Sequence, residues 1–367
     1  MTPRPVESSI SSAATPQPWY SHPNLERDRS HVVAFPCTIE DLLENGDLDW
    51  SASRFILLHN HGMWYRVQPS VGPLFLKYQE LKDMLKRTSA SNDTNGENKD
   101  ARKSLVAWVG RYQDIDYWAA YTPDSVKVLQ KGNQTKVDSS STDFKALREF
   151  GDALESQEDA GILATAQGLV EFHKSHPFCS LCGGATQPVK AGACRKCANC
   201  RKSVYPRLDV ASIMLITSPC HQYALLGRKK LWPKGRYSTL AGFCEVGETL
   251  EDCCRRETYE ESGVEVDPSS VKFVASQPWP FPRSLMVGFR AIATTTASSQ
   301  EGELPNIVVD TSEMEDIQWF AKDFVRTRLE GGSAALEYEP NGKEADFHIP
   351  GKSSLARMLI TQWTNET

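Results

Sequence analysis

Short apolar runs rich in β-branched and aromatic residues recur along the first third of the chain, at 55–58, 63–67, 74–78 and 105–109, with turn-rich segments between them. That rhythm predicts strands, and so a sheet-containing α+β domain over 31–175. Ahead of it, residues 1–30 are rich in Ser, Pro and Thr and predict a mobile tail. Inside it, residues 88–103 read TSASNDTNGENKDARK, a polar, low-complexity stretch that predicts a surface insertion between two strands. Between 143 and 175 the period lengthens. Phe144, Leu147, Phe150 and Leu154, then Ile162, Leu163, Ala166, Leu169, Val170 and Phe172, stand at helical spacing and predict two helices that close the domain. The aromatic cluster Trp108, Tyr117, Trp118 and Tyr121 reads as core packing.

A second alternation starts after residue 205. The runs at 210–216, 223–227 and 271–275 predict strands, and 238–241 leads into a stretch that predicts a helix over 250–262. Thr249 followed by Asp252 marks the start of that helix and Gly263 its end. Strands alternating with this helix predict an α/β/α sandwich built on a mixed sheet over 205–367.

That stretch, GFCEVGETLEDCCRRETYEESGV from Gly242, carries the most specific pattern in the chain. Gly242, Glu248, Arg256, Glu257, Glu260, Glu261 and Gly263 are spaced G-x5-E-x7-R-E-x2-E-E-x-G. On a helix, Glu257, Glu260 and Glu261 are related as i, i+3 and i+4, so three carboxylates share one face. Helix stability gives no reason for such repulsion, whereas a hard divalent cation such as Mg²⁺ or Mn²⁺ wants a cluster of carboxylate oxygens. A solvated acidic face is the bland alternative. With each residue at a frequency of roughly one in fifteen, seven matches by chance are on the order of one in a hundred million per start position, which favours the metal.

Between the two domains, residues 176–204 hold CSLCGGATQPVKAGACRKCANC, with five of the chain's ten cysteines. Cys179 with Cys182 and Cys197 with Cys200 form two C-x2-C knuckles, the spacing of a tetrahedral Zn²⁺ site in a zinc ribbon. Cys194 forms a competing C-x2-C with Cys197. Four thiolates leave no open position, so the zinc would be structural. This crowding suits a reducing compartment better than a disulfide framework.

Charge and composition narrow the classes. A net charge of −6 argues against broad, sequence-blind nucleic-acid binding, so a polyanionic substrate would be met by a local cation. No apolar run approaches the length of a membrane span, and MTPRPVESSISSAATPQPW lacks the apolar core of a secretory signal. A cytoplasmic protein without a membrane partner is expected. The C-terminal Asn365, Glu366, Thr367 is not a peroxisomal S-K-L type ending.

Beyond the helix the chain reads SQPWPFPRSLM. Pro278, Pro280 and Pro282 forbid a regular helix or central strand and predict a stiff extended loop. Trp279 and Phe281 alternate with them, and flat faces on a stiff loop suit stacking on a planar heterocycle.

The stretch from Gly242 resembles the Nudix box of hydrolases that cleave a nucleoside diphosphate linked to another moiety, departing from it at Thr258, where a bulky aliphatic residue is usual. With S-Q-P-W-P-F-P-x-S beyond it, a four-cysteine ribbon before it and Tyr205-Pro206-Arg207 between, the chain resembles the NADH pyrophosphatase family over about 31–367. The resemblance implies hydrolysis of NADH to reduced nicotinamide mononucleotide and AMP, with activity on NAD⁺ and NAD-capped RNA. It implies that Glu257, Glu260, Glu261 and, after the box, Glu313 bind the catalytic metal, that Glu261 activates water, and that Arg256 holds the box loop through Glu248. Phe243 and Trp279 would stack on nicotinamide, Trp279 coming from the partner of a homodimer. Ala356 would touch substrate and metal through its backbone, and Tyr205, Gln277, Ala241 and Ser284 would be further binding positions. Two rivals remain at this level: another Nudix substrate such as ADP-ribose or a dinucleoside polyphosphate, and a non-catalytic zinc-ribbon module.

Overall fold

The computed structural model describes residues 19–21, 24–32, 35, 37–44, 48–60, 62–89, 104–123, 142–294, 303–330 and 347–366. The start of the expected tail and residues 90–103 of the expected insertion lie outside them; expected between two strands, that insertion is instead preceded by a helix, Tyr78–Ser89.

The N-terminal domain is a mixed sheet covered on both faces. Its elements are α1 (Ile39–Glu44), β1 (Ser53–His59), β2 (Gly62–Arg66), β3 (Gly72–Pro73), α2 (Tyr78–Ser89), β4 (Leu105–Tyr112), β5 (Ile115–Thr122), β6 (Thr142–Lys145), α3 (Leu147–Phe150) and α4 (Gln157–Ser175). The sheet runs β3-β2-β1-β5-β4, with β6 paired to β2. β1 and β5 are parallel and the other pairs antiparallel. Alternation along β4 and β5 sends Trp108 and Trp118 into the core with Trp50, Phe55 and Leu81, and Tyr117 and Tyr121 into the opposite core with Leu163 and Val170. All four aromatics predicted as core are buried.

Three expectations need correction here. The strand predicted at 74–78 is reduced to a bridge between Leu76 and Phe55, because Tyr78 already opens α2. Of the two predicted helices only α4 is long; the first is the single turn α3 followed by a 3₁₀ turn, Gly151–Ala153. The predicted mobile tail is partly core, since Tyr20 is 3 % and Leu25 5 % exposed. A Pro- and Ser-rich background hid a Trp19-Tyr20 pair that gains more from apolar burial than it loses in chain entropy.

The ribbon is a three-stranded antiparallel sheet of β7 (Thr186–Val189), β8 (Cys194–Cys197) and β9 (Ser203–Val204). It rests on the N-terminal domain, where the Trp108 amide donates to Ala191 O at 2.9 Å.

The last domain contains β10 (Asp209–Thr217), β11 (Tyr223–Arg228), β12 (Leu240–Phe243), α5 (Leu250–Ser262), β13 (Lys272–Trp279), β14 (Ser284–Ile292), β15 (Asp316–Ala321), α6 (Lys322–Glu330) and α7 (Leu355–Asn365). Its sheet runs β13-β14-β10-β11-β15, with β12 paired to β10. β10 and β14 are parallel and the remaining pairs antiparallel, so the sheet is mixed, as expected. Met214, Ile216 and Phe289 pack against Cys254 of α5 on one face; Ile213 and Leu215 pack against Leu359 and Trp363 of α7 on the other. This is the expected α/β/α sandwich. No helix of the described residues is long and apolar enough to cross a membrane.

The proline-aromatic loop is shorter than predicted. β13 continues through Pro278 to Trp279, and Pro278 stands opposite Leu285. β13 is an edge strand, where a residue without an N–H can face away from the ladder.

Gln277 of β13 fastens three distant segments together. Its Nε2 donates to Trp19 O at 3.0 Å and to Ser353 O at 2.7 Å, and its Oε1 accepts from Leu355 N at 2.8 Å. The residue is 1 % exposed, so no water replaces those partners. Replacing Gln277 with Leu should cost about 2–4 kcal/mol in denaturant unfolding, because it strands two carbonyls and the first amide of α7. A change under about 0.5 kcal/mol would show that this fastening is idle.

Candidate active site

The box helix forms as its local chemistry dictates. Thr249 Oγ1 accepts from Asp252 N at 3.1 Å, α5 spans Leu250–Ser262, and Gly263 closes it in the left-handed region at φ 69°. β12 then runs beneath the helix so closely that a Cβ on Gly242 would collide with the carboxyl carbon of Glu257. Only glycine allows that carboxylate to lie against the strand.

Arg256 knots the loop to the helix. Its Nε and Nη2 donate to Glu248 at 2.7 and 2.8 Å, its Nη1 to Glu257 Oε1 and Glu260 Oε2 at 2.8 Å each, and its Nη2 to Phe243 O at 2.9 Å. The Arg256 hydrogen bonds hold the Glu248 carboxyl down at about 2. Glu248 N in turn donates to Glu245 O, and Glu248 Oε2 accepts from Glu245 N at 3.0 Å.

The three helix carboxylates lie at graded depth. Glu260 is open to solvent, with a side chain 56 % exposed, whereas the Glu257 side chain is 13 % and the Glu261 side chain 3 % exposed. Burial pushes the Glu261 carboxyl up to about 8; Lys229, with Nζ at 3.9 Å, opposes the rise, and Glu257 and Glu313 add to it. Burial also raises Glu257, against the pull of Arg256 and with a push from Glu260 and Glu313. Glu313 itself lies exposed on the loop before β15.

Glu261 Oε2 is buried and has no hydrogen-bond partner. An orphaned carboxylate oxygen among further carboxylates is the environment a hard cation relieves, and the donors are all oxygen. In kind the donors suit a divalent metal at Glu261, but Arg256 Nη1 is bonded to both Glu257 and Glu260, and no three of Glu257, Glu260, Glu261 and Glu313 bring carboxylate oxygens within 4.8 Å of one another.

Beside Glu261 opens a cavity of about 350 Å³, toward the small end of ligand-pocket sizes. Of the positions expected from sequence, Ala241, Glu261, Gln277, Trp279 and Ala356 line it. Trp279 stands on the cavity wall of its own chain, at 6.1 Å from Tyr20 and 5.1 Å from Phe281 between ring centroids, edge to face in both cases. Phe243 is 59 % and Tyr205 56 % exposed, both away from the cavity lining, so within one chain Phe243 does not face Trp279. Ser284 is buried opposite Trp279 in the β13–β14 ladder. Gln277 spends its amide on the chain itself.

Several lining residues were not found from the sequence: Tyr20, Arg148, Asp152, Lys229, Trp232 and Arg236. The run GRKKLWPKGR at 227–236, basic and aromatic in an acidic chain, was the available signal for three of them. Tyr20, Arg148 and Asp152 come from the N-terminal domain and carried no local sign.

In the ribbon, Cys179 Sγ lies 3.7 Å from Cys200 Sγ and Cys182 Sγ 3.6 Å from Cys197 Sγ, with all four sulfurs within 4.8 Å of one another. Metal–sulfur bonds of about 2.3 Å in a tetrahedron place sulfurs about 3.8 Å apart, so this group is compatible with zinc. Backbone amides of Leu181 and Cys182 hold the Cys179 thiol below its usual range. Cys194 lies outside the group, buried in β8 opposite Val189. The competing pair is thereby resolved in favour of Cys197 and Cys200.

Residues 174–205 match the NADH pyrophosphatase zinc ribbon domain and residues 206–336 the NUDIX domain. The chain is 38 % identical over 215 residues to a human NAD-capped RNA hydrolase, NUDT12, covering 56 % of this chain and 42 % of that one. To a human mitochondrial NAD(P)H pyrophosphatase, NUDT13, it is 37 % identical over 209 residues, 57 % of this chain and 56 % of that one. To the NAD-capped RNA hydrolase NudC of Mycobacterium bovis it is 33 % identical over 237 residues, 64 % of this chain and 69 % of that one. The chain thus spans less than half the length of the first of these relatives.

Two outcomes follow from this geometry. In metal-free protein the raised Glu261 carboxyl stabilises the fold fully below about pH 4.5, and that stability is lost as pH rises through about 8. Glu261→Gln removes the titrating group, so melts between pH 5 and 9 should show the wild type losing roughly 2–4 kcal/mol relative to the variant; parallel curves would contradict the buried carboxyl. For the ribbon, metal analysis should find one zinc per chain, kept in Cys194→Ser and lost in Cys197→Ser; the reverse result would reassign the ligands.

Proposed function

The chain belongs to the Nudix hydrolases that carry a NADH pyrophosphatase zinc ribbon, and on that premise we propose that it hydrolyses the pyrophosphate bridge of NADH. The products are reduced nicotinamide mononucleotide and AMP; NAD⁺ and NAD-capped RNA are the further substrates of the proposal. The observation that carries it is one cavity lined by both Glu261 and Trp279, a buried carboxylate and an aromatic face on one wall system. The names of the relatives, which act on NAD-capped RNA or NAD(P)H, support the same substrate class.

Magnesium or manganese, bound at the glutamates, would supply charge neutralisation for the two bridging phosphates and an acidified water. The chain's own part is positioning. Glu261 Oε2, which has no hydrogen-bond partner, would accept the proton of the attacking water once the cation has drawn the buried carboxyl into its ionised form. Lys229 beside it meets the developing negative charge. Arg256 keeps the box loop closed over the helix, and Gly242 leaves room for Glu257. Trp279 offers its ring to one heterocycle of the dinucleotide. A homodimer is proposed with it: Phe243, exposed on one copy, is where an aromatic platform of a second copy would be added.

The test is a product assay with NADH, NAD⁺ and NAD-capped RNA side by side, with and without Mg²⁺. Release of AMP from NADH only with the metal is expected, and release without it, or of adenosine and free phosphate, would contradict the proposal. Glu261→Gln should lower kcat by about 10²-fold or more while the protein stays folded; unchanged turnover would remove Glu261 from the chemistry. Trp279→Ala should raise KM for NADH about tenfold, and less for ADP-ribose, which has no pyridine ring. Equal changes in both would show that Trp279 does not read the ring.

A further inference from the structure

The proposed reaction leaves two cations of the cavity without a task. Arg148 of α3 and Arg236, in the connection between β11 and β12, both line it. Among the described residues neither has a hydrogen-bonded or ion-paired acceptor. The Arg148 guanidinium stands 5.7 Å from the centroid of Trp279, and that of Arg236 5.7 Å from the centroid of Trp232. The two are close enough to feel each other: burial chiefly, and the charge of Arg148 next, push the Arg236 pKa down, against Asp152. A third guanidinium, Arg357 of α7, interacts with the same Asp152 and has a buried Nη1 with no partner.

Asp152 does not balance this group. The cavity has two carboxylates in its lining, Glu261, which faces Lys229, and Asp152. Asp152 Oδ1 already accepts from Ser353 N at 2.9 Å and from Ser353 Oγ. Guanidiniums gathered without acceptors beside one carboxylate already bonded to Ser353 make the wall attractive to an anion, and while Arg148 is exposed, Arg236 and Arg357 are half-buried and partly desolvated. Their planar forks are the groups that take carboxylate or phosphate with two parallel hydrogen bonds, and aromatic rings beside them leave those forks free at the edge.

The geometry points to an anion subsite at the Trp279 wall, in which Arg148 and Arg236 take a phosphomonoester or carboxylate that the substrate carries apart from its pyrophosphate bridge. This deepens the dinucleotide reading and rests on it for the choice of ligands. Two kinds of pyridine dinucleotide carry such a group: one with a phosphate on the adenosine 2′-hydroxyl, one with a carboxylate in place of the nicotinamide carboxamide. Because Arg148 belongs to the N-terminal domain, that domain would set substrate choice in a catalytic site otherwise built from the last domain.

Calorimetric titration of the full chain with four mononucleotides separates the sources: AMP against adenosine 2′,5′-bisphosphate, and nicotinamide mononucleotide against nicotinic acid mononucleotide. One anion-bearing member should bind about tenfold more tightly than its neutral counterpart, identifying the group. In Arg148→Gln and in Arg236→Gln that ratio should fall at least about fivefold, with thermal melts confirming that the variants are folded. Arg236→Lys, which keeps the charge and loses the fork, should recover part of it. Two results would overturn the subsite. One is a wild-type ratio below about twofold for both pairs. The other is an equal loss for all four ligands, which would mean that the arginines hold the 5′-phosphate they share. NADH hydrolysis by the wild type is followed in parallel; its absence would defeat the proposed reaction, while the ligand ratios still judge the subsite.

Discussion

A carboxylate held out of water with an oxygen left unpartnered is the constraint around which the last domain is arranged. Glu261 sits 2 % exposed at the end of α5, beside the cavity and 3.9 Å from Lys229. Burial alone would make it a neutral acid and a poor ligand, so the surrounding charges decide its use. Lys229 favours the ionised form, and Glu257 and Glu313 oppose it. That balance leaves the group able to change protonation near neutral pH, which a group bound tightly to an arginine, such as Glu248, cannot do.

The same division of labour separates structure from chemistry along the box. Arg256 and Glu248 shape the loop; Gly242 clears space; Glu257 and Glu261 lie deep and Glu260 shallow. The ribbon contributes no atom to the cavity lining. Its part is to join two domains, with Ala191 bound to Trp108 of the N-terminal sheet and Val204 leading within a few residues into β10. The N-terminal domain, by contrast, reaches the cavity directly through Tyr20, Arg148 and Asp152.

What the sequence revealed followed the range of the physics involved. The box helix and its ends were legible because a threonine cap and a terminal glycine each act within one turn. The cysteine knuckles were legible for the same reason, although choosing between Cys194 and Cys200 required knowing which face of β8 points to the metal group. Trp279 was identified from its prolines, yet its strand was missed, because only the sheet order shows that β13 is an edge. Tyr20, Arg148 and Asp152 were invisible: each reaches the cavity through tertiary packing over more than a hundred residues of chain. Gln277 was read as a ligand for substrate, and the structure spends its amide on Trp19, Ser353 and Leu355.

Everything proposed for the site requires Glu261 to be a buried acid that loses its proton when a cation binds. Binding of Mn²⁺, followed by electron paramagnetic resonance from pH 6 to pH 9, tests this most directly. Affinity should rise with pH up to about 8 in the wild type and be weaker and nearly flat in Glu261→Gln. Mn²⁺ affinity that is independent of pH and unchanged by the substitution would contradict it.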